Sequence, residues 1–182
     1  MSVVRFVALA IVLSGVFVAT AAADIPSGFT VSATISARAA YIAGKTVTIG
    51  CPATDDAWNA YLATLPIPPP NGIANGYTPS IGGTTSYLSP EVCADLRARI
   101  QKRAVNPITL GADLDILAVE GLHLKGEQSD GQTACDALHV LPGFLVKKWG
   151  FKNHGSPLAI ALQGAHEYHA AQSAQYHTGS CG

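Results

Sequence analysis

Residues Leu114 to Gly126 read Leu-Asp-Ile-Leu-Ala-Val-Glu-Gly-Leu-His-Leu-Lys-Gly. Leu114, Leu117, Ala118, Gly121 and Leu122 recur at helical spacing, so the stretch is expected to form a central helix with one apolar stripe. Gly126 is expected to end it. The same helix carries Glu120 and His123, three residues apart. A catalytic zinc helix needs two His at i and i+4, because those side chains stand over each other and converge on one ion. A Glu at i+1 then reaches the metal-bound water as general base. Here positions 119, 120 and 123 carry Val, Glu and His. Val119 has no lone pair, and His123 alone is a weak ligand. The plain structural alternative is a hydrogen-bonded Glu120–His123 pair at i, i+3.

Working outward toward the C-terminus, Gln132 to Trp149 reads as a second helix, which Pro142-Gly143 is expected to kink or break. Ser156-Pro157 is a cap-then-proline start, and Leu158 to Ala174 is expected to form a last helix. His166 and His169 stand at i, i+3 on it, a spacing that can pinch a metal but more commonly marks a solvated face. His139, His154 and His177 fall on a polar face, in a loop and in the tail.

Toward the N-terminus, Ser89-Pro90-Glu91 starts a helix with cap, proline and favourable charge. Arg97, Arg99, Lys102 and Arg103 are expected on its solvated face. Pro66 to Thr85, with Pro68-Pro69-Pro70, Asn71-Gly72, Asn75-Gly76 and Gly82-Gly83, reads as loop. Thr54 to Leu65 is a short helix begun by Asp55 or Asp56. Lys45 to Cys51 is a β-branched strand. Phe29 to Ser36 alternates like a strand, while Thr34 to Ile42 suits a short helix equally well. The chain is therefore expected to be mainly α (α+β), a helical core with a short N-terminal β element.

The chain has 182 residues. Residues 1–23 read as a secretory signal peptide: Arg5, an apolar run from Phe6 to Val18, then Ala21-Ala22-Ala23 before Asp24. Residues 24–182 are expected to form a single domain. Without Arg5 this part holds 10 basic and 12 acidic side chains. No basic patch stands out, so nucleic acid is not an expected partner. No second apolar run could span a bilayer, so no membrane span is expected after signal cleavage. Protein partners are not specified by the sequence. Cys51, Cys93, Cys135 and Cys181 form an even set in a chain expected to be exported, which implies two disulfides. Of the three connectivities, Cys51–Cys93 with Cys135–Cys181 closes one half of the chain with each bridge. Each bridge would contribute about 3–4 kcal/mol in the chain-entropy model.

Behind the central helix come Lys125-Gly126, then Asp130-Gly-Gln-Thr-Ala134-Cys135. With Lys45 to Cys51, Leu88-Ser-Pro-Glu-Val-Cys93 and the Tyr176-His-Thr-Gly-Ser-Cys181 ending, this order resembles the small secreted zincin-like proteins of actinobacteria. Their pattern is His-Glu-x-x-His, a basic residue, Gly, a short link and Glu-x-x-x-Glu-Cys. The resemblance implies a zincin-like helical scaffold with Glu120 as base and with His123 and Asp130 as metal ligands. Val119 departs from the first His, Asp130 stands for a Glu, and Ala134 stands for a second acidic residue. The resulting expectation is a non-catalytic, enzyme-like domain, secreted or at the cell envelope, with a binding or structural role and no cofactor. The alternative is a zinc-dependent hydrolase or peptidase in which His123 and Asp130 recruit a further His, such as His166 or His169, and Glu120 activates water.

Overall fold

The computed structural model describes residues 25–66, 75–172 and 176. In chain order it contains strand β1 (Phe29–Val31), helix α1 (Ala33–Ala43), strand β2 (Thr48–Pro52), helix α2 (Asp55–Leu62), and strands β3 (Gly76–Tyr77) and β4 (Thr85–Leu88). Helices α3 (Pro90–Ile100), α4 (Pro107–Lys125), α5 (Asp130–Trp149) and α6 (Ser156–Ala171) follow. The described chain is mainly helical with one small sheet. The expected signal peptide, the Pro68-Pro69-Pro70 and Asn71-Gly72 turns, His177 and Cys181 lie outside the described residues.

Helix α4 is the hub. It begins at Pro107 rather than Leu114. The Asn106 side chain accepts the Ile108 amide hydrogen at 2.9 Å, and Pro107 suits the first turn, where no amide donor is needed. Nearly every side of α4 is buried, not one stripe, because α1, α5 and α6 all pack on it. Gly111 lies against the Ala161 carbonyl and Gly164 against the Ile108 carbonyl, so α4 and α6 cross at backbone distance where any Cβ would collide. Two acids are trapped in this surround. Burial, then the neighbouring Asp95 and Glu91 charges, push the Asp113 carboxyl up to about 8. Burial alone pushes Asp115 up to about 8.

Of the two readings open at the N-terminus, strand β1 takes only Phe29–Val31, and the helix takes the rest. Ile35, Ala39 and Ala43 face the core at i, i+4, i+8, and Gly44 closes α1 in the left-handed conformation at φ 68°. Ser36 Oγ accepts the Ile49 amide at 2.8 Å, tying α1 to β2. The sheet order is β1-β2-β4-β3. β1 and β3 run antiparallel to their neighbours, and β2 runs parallel to β4. Helix α2 lies in the β2-to-β4 crossover, capped by Thr54 rather than by either Asp. Trp58 and Leu62 close with Phe29 and Tyr87 into a small second core.

Pro142 does not break α5, which runs unbroken from Asp130 to Trp149. Pro142 and Gly143 sit on the exposed side, while Leu141, Phe144 and Leu145 anchor the buried one. Cys51 and Cys93 form a disulfide that staples β2 to α3. Cys135 is also disulfide-bonded, and among the described residues no cysteine is free. No described helix is long and apolar enough to cross a membrane.

Candidate functional site

Glu120 sits on the face of α4 that meets the sheet. The Thr78 hydroxyl donates to its Oε2 at 2.6 Å, and the Ser86 hydroxyl donates to the same oxygen at 2.8 Å. The other oxygen is covered from above. A Cβ placed on Gly76 would lie 2.5 Å from Oε1, so the β3 backbone rests directly on the carboxyl group. Glu120 is 5 % exposed. Burial raises its pKa above the ordinary glutamate value. The positive charge of His123 and the two hydroxyl bonds oppose that rise without reversing it. The Tyr77 carbonyl oxygen lies 3.0 Å from the same Ser86 Oγ and shares its single hydroxyl hydrogen with Glu120, so one serine joins β3, β4 and α4.

His123 lies one turn on, at the end of α4. Its Nδ1 is 2.8 Å from the Glu127 carbonyl oxygen. A carbonyl only accepts, so Nδ1 carries the proton, and in the neutral ring Nε2 keeps the free lone pair. Nε2 faces Asp130 Oδ1 at 3.7 Å, where α5 begins; the contact is an ion pair when the ring is protonated, and only the neutral ring offers a lone pair there. The Gly82 amide donates to the His123 carbonyl at 2.8 Å, and Lys45 Nζ donates to the Gly82 carbonyl. The loop before β4 is thereby clamped onto the helix end.

The structure therefore brings Glu120, His123 and Asp130 into one neighbourhood, as their order suggests, but gives them different work. Glu120 and His123 feel each other's charge, yet their hydrogen bonds go elsewhere, so the expected bonded pair does not form. His166 and His169 belong to α6, which crosses α4 at Ile108 and Gly111. Gly111 and His123 are about 18 Å apart along the helix at 1.5 Å per residue. His139 is exposed beside Asp136, and His154 sits in the loop before α6 at φ 61°. Ala134 is buried. The sequence does not single out Thr78 or Ser86, and Gly76, expected in an Asn75-Gly76 turn, opens strand β3 instead. The run Thr84-Thr-Ser-Tyr-Leu88 carries a strand signal, which would have placed Ser86 on a sheet face.

These residues do not fit a catalytic zinc. Val119 is half-buried against the core and offers no donor. Only His123 and Asp130 present donors outward, against the three protein ligands of a catalytic site. The base position is sealed by two hydroxyls and a backbone. Among the described residues no group of three or more His, Cys, Asp or Glu is arranged to hold a metal ion.

Two concavities lie elsewhere. One of about 510 Å³ includes Glu91, Asp95 and Asp113 in its wall. Another of about 670 Å³ is lined by Arg38, Arg99, Lys102, Lys147 and Lys148. The second corrects the expectation of no basic patch: α1, α3 and α5 assemble it from positions far apart in sequence.

No family model matches the chain, nor does any curated protein or solved structure.

Proposed function

We propose that the chain is an exported, non-catalytic domain of zincin-like type, with a binding or structural role outside the cell or at its envelope. In this reading a former metal helix has become a strut. The observation that carries it is the covered carboxyl of Glu120. A general base must reach a water at the reacting centre, whereas this one takes two hydroxyl hydrogen bonds under the β3 backbone. The Cys51–Cys93 bridge suits an oxidising compartment. A Cys135–Cys181 bridge belongs to the same proposal. The zinc-hydrolase alternative draws on one feature, the free Nε2 of His123 facing Asp130.

The test is zinc content after secretion from an oxidising host, purification and exhaustive dialysis. The reading expects zinc far below one per chain. One tightly held zinc per chain, lost in His123→Ala, would overturn it in favour of the alternative.

A further inference from the structure

The basic concavity is built differently from a solvated row of lysines. Two guanidiniums are fixed by the end of α5. Arg38 Nε donates to the Lys148 carbonyl at 3.0 Å, and Arg99 Nη2 donates to the Trp149 carbonyl at 3.1 Å. Arg38 stacks over the Trp149 ring at 4.2 Å, and Arg99 over Phe151 at 4.8 Å. Lys147 and Lys148 approach the ring of Tyr41, which is 41 % exposed at this face. These contacts hold the side chains in place without neutralising them.

The carbonyls at the end of α5 account for part of this gathering, because basic side chains favour a helix C-terminus. They do not account for all of it. A helix end carries about half a negative charge, whereas five full positive charges line this pocket. No acidic side chain is among its described lining residues, and none of the five cations is ion-paired within the described residues. Arg38 keeps a buried donor, Nη1, with no hydrogen-bond partner. Burial and, to a lesser extent, the nearby Arg99 charge lower the Arg38 pKa. The whole chain has a formal charge of −1, so the concentration is local, not a consequence of net charge.

We propose that the pocket formed by Arg38, Arg99, Lys102, Lys147 and Lys148 binds a phosphate-bearing ligand with at least two negative charges. Guanidiniums held by their neighbours match phosphate oxygens in fixed directions, and the exposed lysines beside them add the remaining positive charge. The volume, about 670 Å³, suits a small ligand or a headgroup. A single carboxylate would leave most of the positive charge uncompensated. This inference does not depend on how Glu120 is read.

The test titrates the full chain with sodium pyrophosphate at constant ionic strength set by NaCl. A parallel arm measures sedimentation with phosphatidylcholine vesicles containing cardiolipin, whose headgroup carries two phosphates, against phosphatidylcholine vesicles alone. Saturable one-to-one pyrophosphate binding identifies a free phosphate ligand. Binding confined to the cardiolipin vesicles identifies a lipid headgroup. In either case Lys147→Gln/Lys148→Gln should weaken binding about tenfold or more. Both lysines are exposed, and their loss leaves the arginine contacts intact. Lys125→Gln/Lys152→Gln removes the same charge from other exposed positions and should change binding less than about twofold. The proposal is overturned by no saturable binding in both arms or by equal losses in the two variants.

Discussion

Substituting Gly76→Ala probes the seal over Glu120 directly. The added methyl carbon would lie 2.5 Å from Oε1 and 2.9 Å from both Cδ and Cγ of Glu120, distances that ordinary packing does not tolerate. The backbone of Gly76 is not in the left-handed region, so alanine brings no conformational penalty of its own there. The Glu120 side chain cannot swing away cheaply, because Thr78 and Ser86 hold its other oxygen. Overpacking of this kind costs about 1–3 kcal/mol. In a domain of this size that is roughly 2–4 °C in Tm per kcal/mol. Guanidinium denaturation of four proteins completes the argument: wild type, Gly76→Ala, Glu120→Ala and the double variant. Glu120→Ala removes the three atoms nearest the new methyl. The Gly76→Ala cost should vanish in that background, giving a coupling of about 1 kcal/mol or more. If Gly76→Ala costs the same with and without the Glu120 side chain, the carboxyl does not lie beneath β3, and the strut reading fails.

Three further outcomes follow from the same structure. Asp115 has a folded pKa of about 8, against an ordinary value of 3.8, and its Oδ1 is buried without a partner. A raised carboxyl pKa favours folding at low pH, and this contribution is lost as pH rises from about 4 toward 8. The stability of Asp115→Asn relative to wild type should therefore rise by roughly 3–4 kcal/mol between pH 4 and pH 7; equal differences at both values would show that Asp115 is not held neutral. Replacing Cys51 and Cys93 together by alanine opens a loop of 42 residues' separation and should cost about 4 kcal/mol in urea denaturation; a loss below about 1 kcal/mol would show that the bridge constrains little. Val119→His places a second imidazole one turn from the free Nε2 of His123 and should bring zinc affinity into the micromolar range, by competition with a chromophoric chelator, without peptidase activity. Hydrolysis by that variant would restore Glu120 as a base.

The helices were legible where the chain carries its own start and stop signals. Ser89 with Pro90 and Gly126 mark boundaries that the fold keeps. Helix α4 starts earlier than the Leu114 stripe suggests, because exposed Ile108 and Thr109 blur its first turn although Leu110 stays in register with Leu114, and a helix buried on nearly every side has no single stripe to find. Pro142 does not end α5, because tertiary packing through Phe144 and Leu145 outweighs one lost amide hydrogen bond. At the site, the order Glu120, His123, Asp130 was visible, and so was the missing donor at Val119. What sequence could not convey was the covering of Glu120, because Gly76, Thr78 and Ser86 reach it through sheet pairing across 34–44 residues. The basic pocket was hidden in the same way: Arg38, Arg99 and Lys148 are unremarkable until three helices bring them together.

The central claim is that Glu120 is a covered structural carboxyl and not a base open to water and metal. It is tested most directly by following the side-chain carboxyl carbon of Glu120 by NMR across pH, with and without added zinc. The account predicts an apparent pKa above the ordinary glutamate value of 4.5, in the direction its burial imposes, and the same curve in both samples. A Glu120 that titrates at the ordinary value, or whose curve moves when zinc is added, would contradict it.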